Sequence, residues 1–247
     1  MARLVVLSGP SCVGKGPLHA ALKRHYPDLA AALTPVVLYN SRAPRPAEVD
    51  GVDYHFRPRS QIEALRDKDG FVVMDVRGDL QALDLGELEQ RLGAGDGFFE
   101  GNPFVGTKLL ACKLPQGVER LSVFLSPLSW DELEYLKAPE RRVCVPDFVA
   151  DVMRRKLLRR TQRQKGILSQ GDLAEIERRC TSAYREMQEA WRFDHVVPNH
   201  DGEDSEHWSA FYHPLGDARR ALLAFVALLT GQAPPGCVEA WDRDLLP

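Results

Sequence analysis

The chain is short of the features that would tie it to a membrane, a metal framework or an oxidising compartment. Its five cysteines, at positions 12, 112, 144, 180 and 237, are widely spaced with no CxxC pair. That spacing argues against a disulfide framework and a cysteine zinc site, and it suits a reducing cytoplasm. No run approaches the ~20 apolar residues of a membrane span, and MARLVVLSGP has too short an apolar core for a signal peptide. A soluble cytoplasmic protein with no membrane partner is expected. Charge of one sign is missing too. Lys and Arg number 32 against 35 Asp and Glu, a formal net charge of -3, so no global field directs the chain to nucleic acid. Internal repeats and low-complexity tracts are absent. What remains is a chain of 247 residues, 44% of them hydrophobic, enough for one large domain or a core with appended lobes.

The most informative stretch lies near the N-terminus. RLVVLSG is a wholly apolar run of the kind buried on both faces of a parallel sheet, and LSGPSCVGKGPL begins at its end. Gly9, then Pro10, Ser11, Cys12 and Val13, then Gly14 and Lys15 have the spacing of a phosphate-binding loop. PLHAALKRHY continues as a helix, with Pro17 in the first turn, where a proline costs no hydrogen bond. Strand, loop and helix thus come in the required order. Residues Gly9 to Gly16 would form an anion nest for ATP through the backbone N–H groups that all but Pro10 carry, and Lys15 would add a charge at the β- and γ-phosphates. One part is missing. The hydroxyl that normally coordinates magnesium is replaced by Gly16 and then Pro17. Magnesium keeps several waters and leans on substrate phosphates, so the loss should weaken metal placement without abolishing transfer. Cys12 reads as a tolerated small residue; a thiol activated by the helix N-terminus is the alternative.

Apolar runs at PVVLY, GFVVMDV, GFFEG, LSVFLS and FDHVVPN, with helical patterns such as SQIEALRDKDG and LDLGELEQRL between them, predict an α/β sheet. Charged helices over 147–163 and 172–191, joined by QKGILSQGD, suit a mobile lid. NHDGEDSEHWSAFYHP reads as a loop whose acidic and histidine residues have no recognised metal spacing. LGDARRALLAFVALLTG reads as a closing amphipathic helix and QAPPGCVEAWDRDLLP as an extended tail. Trp191, Phe193, Trp208, Phe211 and Tyr212 read as packing residues. In NSRAPRPAEVDGVDYHF, Arg42 and Arg45 sit between stiffening prolines; their rigid forks suit phosphate oxygens, with Tyr54 as a further donor, and a polar surface turn is the other reading. Seven basic residues between Arg154 and Lys165 fit lid cations that neutralise a transferring phosphoryl group or a solvated helix face. A nucleic-acid patch is disfavoured because no aromatics interleave.

LSGPSCVGKG and SRAPRPAEVDGVDYHF together resemble the guanylate kinases, whose loop reads GPSGxGK and whose acceptor segment reads TRxPRxGExxGxDYxF. The resemblance implies a P-loop nucleoside monophosphate kinase fold: a central parallel sheet flanked by helices, an inserted acceptor-binding lobe and a helical lid. The core would comprise 1–37, 96–140 and 172–231, the acceptor lobe 38–95, the lid 141–171 and the tail 232–247. It further implies ATP with Mg2+ as donor, and an acceptor phosphate held by Arg42, Arg45 and Tyr54, with Glu48 fixing that segment. IERRCTSAYREMQEAWRFDHVVPN is similar to the family's late helix and last strand, which places Arg179 toward the transferring phosphoryl group and Asn199 near the donor's adenine. RRTQRQKG loosely resembles RLxxRG, making Arg160 and Arg163 the lid arginines.

The middle of the chain departs from the family. FVVMDVRGDLQAL has neither the in-register Glu of FxEWA nor the tyrosines of GNYYG, and Leu38 stands where the family has a base-contacting serine. Glu100 in GFFEGN aligns with the first of an acidic pair and Asn102 with the second. Glu100 would serve magnesium or the acceptor base, or be an ordinary strand-end carboxylate. Sites built to hydrogen-bond one base reject others because buried partners go unpaired, so GMP or dGMP is the first acceptor to expect, with altered base recognition. An inactive guanylate kinase-like module that binds a phosphorylated partner is the alternative. Such a module would discard the donor loop; this chain keeps Lys15. Nothing in the sequence speaks to oligomeric state.

Overall fold

Strand β1 (Arg3–Ser8) is the run RLVVLS, buried from Leu4 to Ser8. In the computed structural model, which describes residues 2–45 and 48–246, it is the middle of a five-stranded sheet. The other members are β2 (Leu33–Pro35), β7 (Asp96–Gly101), β8 (Glu119–Ser126) and β9 (His195–Pro198), in the order β2-β7-β1-β8-β9. Every pairing in it is parallel. Alternation along β1 then divides the interior. Val5 and Leu7 pack with Leu18 and Leu22 of α1 (Lys15–His25) and Phe225 of α9 (Gly216–Leu229). Leu4 and Val6 pack on the opposite face with Val105 and Leu109 of α5 (Pro103–Ala111) and Met187 of α8 (Gln170–Met187). A parallel sheet with helices on both faces is the expected P-loop fold, and β1 leads through the glycine-rich loop into α1.

The run PVVLY does not form one strand. Its first residue, Pro35, ends β2 and its last two, Leu38 and Tyr39, begin β3 (Leu38–Asn40), which opens a second sheet of order β4-β3-β6-β5. There β4 (Tyr54–Phe56) pairs parallel to β3, while β5 (Phe71–Val76) and β6 (Asp79–Asp84) form an antiparallel hairpin. Its two-residue turn is Arg77–Gly78, both at positive φ (57° and 90°), the conformation that matches the twist of adjoining strands. The α/β alternation did not predict this antiparallel pair, because β6 has no apolar run of its own length. The helix expected in SQIEALRDKDG is only one turn, α3 (Arg59–Glu63), whereas LDLGELEQRL gives α4 (Leu85–Ala94), capped by the Asp84 side chain.

The charged helices are present with shifted ends. α7 (Val145–Lys165) buries Val149, Met153, Leu157 and Thr161 at a spacing of four and stops at Gly166, φ 74°. A capping box of Ser169 and Asp172 starts α8. The tail is not an extension. Glu239 pairs antiparallel with Val196, and Trp241, Leu245 and Leu246 are buried in the core. No helix among the described residues is long and apolar enough to cross a membrane.

Candidate active site

The loop after β1 is shaped by close approach. A Cβ on Gly9 (φ 149°) would lie 2.4 Å from the Leu125 carbonyl oxygen, and one on Gly14 (φ 107°) 2.6 Å from Asn199 Nδ2. Cys12 also has positive φ, 68°, a conformation disfavoured for residues with a Cβ; it stands where GPSGxGK has a glycine. Its side chain is buried, and burial, with Glu203 nearby, pushes the thiol up to about 12. This corrects the activated-thiol alternative, since the low-dielectric surroundings outweigh any helix dipole.

Lys15, the first residue of α1, is buried, and Nζ donates to the carbonyls of Gly9 (2.7 Å) and Pro10 (2.8 Å). Burial lowers its pKa, opposed by the charges of Glu203 and Glu100. The ammonium is thus held inside the curl of the loop, beside the backbone N–H groups that an anion would meet.

Opposite the loop stand the acceptor-segment residues. Arg42 makes a two-pronged pair with Glu48, both contacts 2.6 Å, and Glu48 also accepts from the Arg45 backbone N–H at 2.7 Å. That explains the spacing of these three residues: Glu48 ties the segment into a fixed bend, with its own pKa lowered by Arg42 and Arg45 against the effect of burial. Arg42 also lies over the rings of Tyr54 and Phe56, at 5.2 and 5.4 Å. Pro46 and Ala47 of the segment lie outside the described residues.

Arg42, Arg45 and Tyr54 line one cavity of about 220 Å³ with Gly9, Ser11, Cys12, Lys15, Glu100, Arg160 and Arg179. Burial and the neighbouring charges of Arg179 and Arg42 push Arg45 down to about 10. Arg179 is itself buried and its pKa lowered for that reason, although Glu175 pairs with it at 2.7 Å. Arg160 pairs with Glu203 at 2.6 Å, while its Nε is buried without a hydrogen-bond partner among the described residues. Convergent, incompletely neutralised cations with a spare donor make an anion site.

Two expected residues lie elsewhere. Arg163 is turned away from the cavity, donating to the Asp204 carbonyl and to Glu206, because the loop after β9 supplies its partners. Asn199 is fully buried, and Nδ2 donates to the Val13 and Asp201 carbonyls at 2.7 and 2.8 Å. Both N–H groups of its amide are committed to fixing the phosphate loop and the segment after β9. Trp208 braces the loop after β9, its indole donating to the Asp201 and Gly202 carbonyls, and Phe193 is core. Phe211 and Tyr212 are exposed, and the Tyr212 ring packs against His25 and Arg24 at 5.3 and 5.1 Å.

Glu100, at the end of β7, faces the loop's defect. A Cβ on Gly16 would lie 3.7 Å from its Oε1. A carboxylate oxygen close to where the absent hydroxyl would project is a hard donor, and it fits magnesium. Asn102 lines the cavity but is committed as the N-cap of α5 and as a donor to Glu186. Leu38 is buried. A further part of the polar wall, Asn40, Arg77, Asp79 and Gln81, was missed in the sequence. Only the hairpin, which the alternation of apolar runs does not reveal, brings the last three to the cavity.

The family model described as Guanylate kinase matches residues 1–78. The guanylate kinase of Mycobacterium bovis is 33% identical over 196 residues, 76% of this chain and 85% of that protein. The one from Corynebacterium diphtheriae is 31% identical over 206 residues, 82% and 90% of the two chains. A crystal structure of guanylate kinase from Anaplasma phagocytophilum aligns at a TM-score of 0.48 and 18% identity, covering 81% of this chain and 78% of that one.

Proposed function

The chain belongs to the guanylate kinase family, and from that premise we propose that it transfers the γ-phosphoryl group of ATP to a nucleoside monophosphate whose base is read differently from guanine in its relatives. The observation that carries the proposal is the single cavity joining Lys15 and its loop to Arg42, Arg45 and Arg179. Phosphoryl transfer needs positioning and charge neutralisation more than covalent chemistry. Lys15 and the loop amides hold the donor phosphates, and the ammonium exchanges the Gly9 and Pro10 carbonyls for phosphate oxygens. Arg42, Arg45 and Tyr54 hold the acceptor's phosphate, and Glu48 keeps the two arginines in register. Arg160 and Arg179 meet the charge that spreads over the group in transit. Magnesium, held through Glu100 and the phosphates, would neutralise oxygens of the donor. Division of the chain into core, acceptor lobe, lid and tail belongs to the same proposal.

GMP and dGMP remain the first acceptors to try. Altered base reading is supported by buried, apolar Leu38 and by a wall of Asn40, Asp79 and Gln81 in the cavity. No observation favours a phosphopeptide-binding module, for which the loop glycines and the buried Lys15 would have no use. The test is an ADP-release assay with ATP and magnesium against ribo- and deoxynucleoside monophosphates. Turnover that disappears in Lys15→Ala is expected on at least one acceptor; silence across the panel together with no ATP binding would end the kinase reading.

A further inference from the structure

Gly16 leaves the loop without the hydroxyl that such loops present to their cation, and the groups around it are arranged to make up the loss. Among the described residues, and setting aside the backbone of its own helix and its chain neighbours, a Cβ on Gly16 would have Oε1 of Glu100 within 4 Å, at 3.7 Å. The other oxygen of that carboxylate, Oε2, lies 3.2 Å from Nδ1 of His19. His19 is three residues beyond Gly16 and four beyond Lys15, so on α1 its side chain shares the face that carries both. The imidazole is held in turn, edge-on to Phe98 of β7 at 4.7 Å between centroids, with 17% of its side chain exposed. Phe98 lies two residues before Glu100 on the same strand. The helix that carries the defect and the strand that carries the carboxylate are therefore joined by one packed imidazole.

We propose that His19 is a positioning residue for the metal of the phosphotransfer site: through Nδ1 it fixes Glu100 so that Oε1, beside Gly16, holds the divalent cation in place of the missing hydroxyl. The inference rests on the kinase reading above. A glutamate has three side-chain torsions to restrain, and an unanchored carboxylate at a strand end spends much of its time away from the cation. Outer groups that orient a metal-holding side chain are worth about 10- to 100-fold in metal affinity. Gly16 is compatible with a hydroxyl, since a Cβ there makes only ordinary contact. The lost group can thus be restored by mutation.

The experiment is a titration of Mn2+ into the full-length protein saturated with ADP, read by the EPR signal of free Mn2+, with ADP affinity measured separately in EDTA. His19→Ala is expected to weaken Mn2+ binding about tenfold while leaving metal-free ADP affinity unchanged. His19→Asn, which keeps an N–H near the Nδ1 position, should stay close to wild type. Gly16→Ser added to His19→Ala should restore tight Mn2+ binding, a rescue that a purely structural role for His19 would not give. Unchanged Mn2+ affinity in His19→Ala, or an equal loss of ADP binding in EDTA, overturns the proposal while leaving the kinase reading intact. Failure of the wild-type protein to bind ADP with or without metal would instead remove the kinase reading and this inference with it.

Discussion

Arg45 is half-exposed, yet burial and the guanidiniums of Arg179 and Arg42 push it down to about 10. It stays charged at neutral pH in a region of excess positive potential, which a bound phosphate would cancel. Arg42→Ala is therefore predicted to lower kcat/KM for the acceptor by about 100-fold, with the KM for ATP little changed. Arg42→Lys should do hardly better, because a point charge cannot reproduce the fork held by Glu48. Steady-state kinetics with acceptor as the varied substrate decides both. Cys12 gives a second prediction at this scale. A buried thiol raised to about 12 has almost no thiolate at neutral pH. Timed iodoacetamide labelling read by mass spectrometry should mark exposed Cys144 long before Cys12; early loss of Cys12 would contradict its placement.

The loop from His200 to Trp208 ties the phosphate loop to α7. Lys156 donates to the His200 carbonyl, Arg160 pairs with Glu203, and the Glu203 N–H donates to the Cys12 carbonyl at 3.2 Å. His200 anchors its start between Asp217 of α9 and Glu132 of α6 (Trp130–Lys137). Burial works against the imidazolium, but hydrogen bonds and charge from Asp217 and Glu132 outweigh it, so the pKa is raised. A raised folded-state pKa gives stability that is complete below the unfolded value of about 6.5 and is lost as pH rises through the folded value. Thermal melts from about pH 5.5 to 8.5 should show the wild type losing more stability toward high pH than His200→Gln. Another tie joins the β5–β6 hairpin to α8. Fully buried Glu186 accepts at Oε1 from Arg77, from Asn102 at 3.1 Å and from Ser182 at 2.6 Å. Arg77→Ala leaves that charge without its cation and is predicted to cost about 3 kcal/mol in urea unfolding.

Across the whole molecule, the last residues close the sheet. Glu239 accepts from the Trp130 backbone N–H and the Trp241 indole at 3.0 and 2.7 Å, and Trp241 is buried against Phe124, 6.5 Å between ring centroids. Trp241→Ala should cost about 3 kcal/mol, visible as a lower urea midpoint, whereas a loose extension would leave the midpoint where it was. The composition of the tail misled here, because two prolines and a glycine at 234–236 describe the connection and not the docked residues beyond it.

The β1–loop–α1 unit, the arginine fork and its glutamate, the charged helical pair and the closing helix were legible in the residues alone. Each of these is written locally, in apolar runs, glycine spacing, caps and a short motif whose members bond to one another. Which cations face the cavity and which are spent on the loop after β9 depends on packing, since Arg160 and Arg163 lie one turn apart on the same helix and differ in what packs against them. Tertiary structure also brought Glu100 of β7 to Gly16 and His19 of α1, and carried Asp79 and Gln81 to the cavity wall through a hairpin. Contacts across such distances in the chain are fixed by packing, and packing leaves no periodicity in the sequence from which to read them.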